Sequence, residues 1–102
     1  MNMIYKRYAH ALIPIYDNIF AIGGYEQPDV LGTKALTHRT VEKFNLEFEE
    51  WVEVSSMNTP RAFFGACPCF DQFIYVFGGY HNFKMLDSIE RYDQILDVWN
   101  EL

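Results

Sequence analysis

The 102-residue sequence has little cysteine, little basic charge and no long apolar run. Two cysteines, Cys67 and Cys69, cannot build a disulfide framework, which removes the small secreted scaffolds held by several bridges. Eight Lys and Arg against fourteen Asp and Glu leave a net charge of −6, the opposite of what a nucleic-acid binder shows. Apolar runs such as Phe73–Phe77 are far too short to cross a bilayer. The stretch Met1–Arg7 has no charged-then-apolar signal-peptide layout. Helical periodicity is weak too: no segment of ten or more residues carries apolar residues at i, i+3, i+4 and i+7 in a way that outcompetes a strand reading. These absences set the expectation of a soluble cytoplasmic protein with no nucleic-acid and no membrane partner.

What the chain does have is apolar and aromatic mass. Half of it is hydrophobic and 18% aromatic, with nine Phe, seven Tyr and two Trp, too much for an unfolded tail. It also repeats itself. Met3, Arg7, Pro14 and Asp17 have counterparts at Met57, Arg61, Pro68 and Asp71. Gly23-Gly24 recurs at Gly78-Gly79, and Glu42, Phe44 and Trp51 recur at Glu90, Tyr92 and Trp99. Two length changes reconcile the offsets: one residue gained at Phe73, and a loop Tyr25–Arg39 that is longer than Tyr80–Asp87.

Each copy reads as four short strands: Ala11–Tyr16, Ile19–Ile22, Thr40–Phe44 and Trp51–Val54, then Ala66–Phe70, Phe73–Phe77, Ser88–Tyr92 and Trp99–Leu102. Short β-branched and aromatic runs bounded by Gly, Asn, Asp and Pro are strand signals. The second glycine of each pair suits a positive φ or a close backbone approach, where a Cβ would clash. Phe44, Tyr92, Trp51 and Trp99 are large flat groups suited to filling space between twisted sheets.

A unit of about fifty residues with four strands, Gly-Gly after the second and Trp opening the fourth resembles the kelch motif, the blade of one class of β-propeller. The residues that carry the resemblance are Ile22-Gly23-Gly24, Val41-Glu42-Lys43-Phe44, Trp51 and Met57…Arg61, then Phe77-Gly78-Gly79, Ile89-Glu90-Arg91-Tyr92 and Trp99. Phe44 stands where the family usually has Tyr. The WD repeat fits badly, since Val52 follows Trp51 and Asn100 follows Trp99. The fold expected is therefore all-β: two four-stranded antiparallel kelch blades of a partial β-propeller. Residues 1–6 are expected to be the tail of a preceding blade, 7–57 one blade and 58–102 the next, with both ends cut from a longer array. Two blades have four stacking faces and one mutual interface. A buried large apolar side chain is worth roughly 1.5–3 kcal/mol, so the uncovered faces call for further blades in cis or for self-association in trans, three copies making six blades.

The chemistry-bearing residues form no recognisable catalytic set. His10, His38 and His81 show no zinc spacing, and the Cys67-Pro68-Cys69 pair supplies too few sulfurs for a closed zinc site. No serine sits in a nucleophile elbow, and the paired glycines lack the Gly-Lys-Ser/Thr of a phosphate loop. No catalytic residue, metal or cofactor is expected. The alternative, a piece of a kelch-type enzyme such as an oxidase or a sugar-processing enzyme, rests on likeness of fold alone.

Antiparallel strands put the first-to-second and third-to-fourth turns at one end of each blade, and the second-to-third loops and linkers at the other. The first end collects Asp17, Asp71, Glu47, Glu49, Glu50, Asp93 and Asp97. The other collects Lys6, Arg7, Lys34, Arg39, Arg61 and Lys84, with His38, His81, Tyr25, Tyr80 and Phe83, mixed with Glu26, Asp29 and Asp87. Loops on a rigid scaffold are where binding usually sits, and aromatic residues beside Arg resemble interaction hot spots. The candidate partner-binding set is Tyr25, Lys34, His38, Arg39, Arg61, Tyr80, His81 and Lys84. The kelch resemblance implies a protein or peptide partner on this face. It also implies roles, ubiquitin-ligase adaptor through a BTB domain or cytoskeletal association, that these residues do not decide.

Overall fold

The computed structural model describes residues 2–26 and 36–102. The strands are β1 (Ala11–Ile15), β2 (Asn18–Ile22), β3 (Tyr25–Glu26), β4 (Leu36–Thr37), β5 (Val41–Asn45), β6 (Glu50–Val54), β7 (Gly65–Cys69), β8 (Phe73–Phe77), β9 (Tyr80–His81), β10 (Lys84–Met85), β11 (Ile89–Asp93) and β12 (Val98–Glu101). Among the described residues there is no helix. Two antiparallel sheets, ordered β1-β2-β5-β6 and β7-β8-β11-β12, are two kelch-type blades of a partial propeller.

The eight long strands fall within a residue of the sequence expectation at each end. Tyr16 and Phe70 do not extend β1 and β7 as expected. Both take positive φ, 51° and 54°, because the hairpins that follow require left-handed residues. The residue gained in the second copy also lies elsewhere: Ile15 pairs with Asn18 but Cys69 pairs with Phe73, so the extra position is in turn 70–72. The turn closing each third strand is built by one side chain. Asn45 Oδ1 accepts from the N–H groups of Glu47 and Phe48, and Asp93 Oδ1 from those of Ile95 and Leu96.

Alternation within the strands sorts each blade into two faces. The first blade turns Ile13, Ile15, Phe20, Ile22 and Val41 toward the second, which answers with Ile74, Val76, Tyr92 and Trp99. These form one cluster, with Phe20 edge-on to Tyr92 at 5.8 Å between ring centroids. Tyr92 and Trp99 lie 4.9 Å apart, and Phe44 and Trp51 make the corresponding pair at 5.2 Å. Polar bonds fix the seam. Trp99 Nε1 donates to Ser55 O at 2.8 Å, Ser55 N donates to Asp97 Oδ1, and Ser55 Oγ donates to Asp97 O. The Tyr92 hydroxyl also donates to Asp97 Oδ1 at 2.7 Å; burial first, and then this carboxylate, push its pKa far up. Desolvation pulls Asp97 upward as well. The Ser55 and Tyr92 hydrogen bonds together with Lys43 outweigh it and leave the carboxyl below its ordinary value.

The paired glycines behave as their position requires. Gly79 has φ +99°, and a Cβ there would sit 2.7 Å from Ala62 O and 2.8 Å from Phe64 Cβ. Gly24 repeats this against Tyr8 O and His10 Cβ.

A buried ion pair is present twice. Arg61 Nη2 lies 3.1 Å from Glu90 Oε2, with both side chains fully buried. Arg61 Nη1 donates to the carbonyls of Gly78 and Ser88, and the Glu90 carboxylate accepts from the N–H groups of Asn58 and Thr59. Arg7 and Glu42 repeat the arrangement at 2.7 Å, with Gly23 O and Thr40 O as acceptors and Ile4 N and Tyr5 N as donors. Each linker is thereby strapped to the third strand of the blade that follows it.

Removing one member strands a buried charge, which costs about 3–5 kcal/mol. Arg61→Ala and Glu90→Ala should each lower stability by that amount in urea denaturation. Lys84→Ala, on the exposed two-residue strand β10, should stay within about 0.5 kcal/mol. Equal effects from all three would contradict the strap.

Candidate protein-interaction face

The polar pairing confirms the two ends. Leu46 N donates to Asp17 O and Gln94 N to Gln72 O, joining first-to-second and third-to-fourth turns. At the opposite end Met57 N donates to Arg39 O, Arg61 N to His38 O and Gly24 N to Arg61 O, joining second-to-third loops to the linker.

Two short hairpins rise from this end. Tyr80 pairs with Met85 and His81 with Lys84 around Asn82 and Phe83, whose φ values of 52° and 63° make a tight two-residue turn. Tyr25 pairs with Thr37 and Glu26 with Leu36. The sequence shows these pairs only as loop segments, because two residues are too few to show alternation. Each hairpin is anchored by a bridge to a linker, Tyr8 to Tyr25 and Ala62 to Tyr80. Tyr25 lies between Tyr8 and Phe63, at 5.5 and 5.6 Å. Between the hairpins runs a groove of about 450 Å³ lined by Tyr25, Leu36, Thr37, Tyr80, His81, Asn82 and Phe83. His81 Nδ1 is shielded from solvent with no hydrogen-bond partner among the described residues.

The groove thus brings together Tyr25, Tyr80 and His81 from the expected set and adds Leu36, Thr37 and Asn82. Those three carry no sequence signal of their own; only the pairing of the hairpins places them. Arg39 and Lys84 are exposed at the same end. Arg61 is a correction. It was expected on the binding surface, but it is fully buried and all its described contacts are internal, because a guanidinium is the group that can satisfy two carbonyls and a carboxylate at once. Arg7 is buried for the same reason. Lys34 lies outside the described residues. Of the basic residues assigned to this end, Lys6, Arg39 and Lys84 are therefore the exposed ones among the described residues.

His38 is turned inward. Its Nε2 lies 3.4 Å from Glu26 Oε2 and its ring 5.4 Å from Tyr5. Burial, followed by the Arg7 charge, pushes the His38 pKa below the ordinary histidine value, against an upward pull from Glu26. His10 is lowered by the same two causes in the same order. Cys67 is exposed and Cys69 half-buried, both as free thiols. Among the described residues no three His, Cys, Asp or Glu side chains cluster as metal ligands.

His38 and His10 set a pH dependence. The unfolded chain takes up protons near pH 6.5, where the folded state still resists them, so stability falls as pH drops below that value. The denaturation midpoint should decline between about pH 7.5 and 5.5, and His38→Gln should flatten the decline. An unchanged slope would assign the effect elsewhere.

Comparison with known proteins agrees with this geometry. A family profile described as the kelch motif matches residues 6–58, half of the chain. The chain is 29% identical to a Kelch repeat and BTB domain-containing protein 2 of cowpox virus (strain GRI-90 / Grishak), over 98% of this chain and 20% of that protein. It is 30% identical to mouse (Mus musculus) Kelch-like protein 13 over 82% of this chain and 12% of that protein. With rat (Rattus norvegicus) Kelch-like protein 7 the figures are 32%, 96% and 15%. The chain spans a fifth or less of the length of these relatives. With the motif residues repeated twice, the strands they mark laid out as two blades and the profile matched over the first, the chain belongs to the kelch-motif family.

Proposed function

We propose that the chain is a non-catalytic protein–protein interaction module, which receives a peptide or protein segment in the groove between the β3–β4 and β9–β10 hairpins. The observation that carries this reading is the groove itself: an aromatic-walled channel on the loop end of a rigid scaffold, with Arg39 and Lys84 exposed at the same end. Tyr and Arg side chains combine large contact area with strong hydrogen-bonding capacity, which suits protein recognition. Kinship with kelch-like proteins supports a protein partner in general. An adaptor or cytoskeletal role would be a property of a longer assembly and adds nothing to the chemistry of this groove.

The test uses peptides selected on the immobilised chain from a displayed random library. Arg39→Glu combined with Lys84→Glu should weaken their binding about tenfold through lost charge complementarity, with no change in the thermal midpoint. Tyr80→Ala should weaken it by about 2 kcal/mol through loss of an aromatic wall. Glu47→Lys with Asp71→Lys, at the opposite end, should leave it unchanged. Peptides indifferent to the first two changes, or lost with the third, would remove the reading.

A further inference from the structure

The first blade turns its far face away from the second, and the second does likewise. These two uncovered faces are complementary, because each repeats one half of the interface already formed between the blades. By strand register, the second blade's open face presents Cys67, Cys69, Tyr75, Phe77, Ile89 and Arg91 where the first blade's covered face presents Ile13, Ile15, Phe20, Ile22, Val41 and Lys43. The first blade's open face presents Leu12, Ile19, Phe44 and Trp51 where the second blade's covered face presents Ala66, Ile74, Tyr92 and Trp99. Trp99, covered by its neighbour, is 7% exposed; on the open faces Leu12 is 56%, Phe77 42% and Ile89 39% exposed.

Charge follows the same pattern. Within the chain, Lys43 acts on Asp97 across the seam closely enough to lower its pKa. The residues at the corresponding open positions are Arg91 and Glu49, again a cation and an anion. Arg91 lies over the Phe73 ring at 4.8 Å, and its Nε is shielded with no hydrogen-bond partner among the described residues. Phe44, unlike Tyr92, has no hydroxyl to offer Glu49.

We propose that a second copy of this chain covers these faces: the second blade of one copy packs on the first blade of the next, with Arg91 of one meeting Glu49 of the other. The contact is head-to-tail, so copies continue until a ring closes. It lies on the flanks of the blades, apart from the groove, so the peptide-binding readout stands or falls separately.

Light scattering on the 102-residue chain, over about a hundredfold range of concentration, should show multiples of 12.0 kDa that grow by mass action. Ile89→Asp or Leu12→Asp, each placing an unpaired carboxylate in the contact, should weaken association by about a hundredfold or more. Mixed together, these two variants should form a dimer and nothing larger, since each retains the one face the other needs. A folded mixture that dimerises also shows that neither substitution merely unfolds the chain. In the milder pair, Arg91→Glu and Glu49→Lys should each weaken association alone and restore it when mixed. A chain that stays at 12.0 kDa throughout, or variants that fail to complement although both are folded by circular dichroism, would overturn the proposal.

Discussion

A buried arginine held by a buried glutamate organises each half of this protein. Arg61 reaches from the linker to the carbonyls of Gly78, the first of the paired glycines, and Ser88, just before the third strand, while Glu90, on that strand, gathers the linker's N–H groups. Neither charge is stable alone in a dry interior, and together they leave few unsatisfied atoms. The strap determines where the linker runs, and the linker in turn positions both short hairpins through the Tyr8 and Ala62 bridges. The groove is thus a consequence of an ion pair that never touches it.

Identical residues in the two copies have different surroundings. Trp51 and Trp99 occupy equivalent places, each stacked on the aromatic ring of its third strand. Trp99 meets the first blade and donates its indole N–H across the seam to Ser55. Trp51 has the same ring on a face with no blade against it and is half-buried. The difference lies in neighbours rather than in the residue, as repeat architectures dictate.

The two ends of the blades also differ in kind. One carries hairpin turns with Asp and Glu at their tips and is closed by backbone bonds between neighbouring turns. The other has a concave aromatic channel whose walls are short paired strands. Among the described residues the turn end is closed by backbone bonds and the loop end carries the groove, and the proposed recognition at the loop end rests on that difference.

Much of the fold was legible because its marks are local. Strand alternation, the glycines at positive φ and the aromatic-to-Trp spacing depend on residues close in sequence, and the repeat states each of them twice. The sorting of turns into two ends was legible too, since it follows from antiparallel pairing. The candidate site was legible only in part. Tyr25, Tyr80 and His81 announced themselves by type and loop position; Leu36, Thr37 and Asn82 did not, because hairpins of two-residue strands leave no periodic trace. The sequence set Arg61 apart from Arg39 only by its repeat twin Arg7, which marks the position without saying that it is buried. Both are cations in loop segments, yet one is fully buried and the other exposed. That distinction depends on Glu90, twenty-nine residues away along the chain and within hydrogen-bond reach in space. Local pattern therefore determined which strands form; long-range pairing of charge decided which side chains are left for a partner to find.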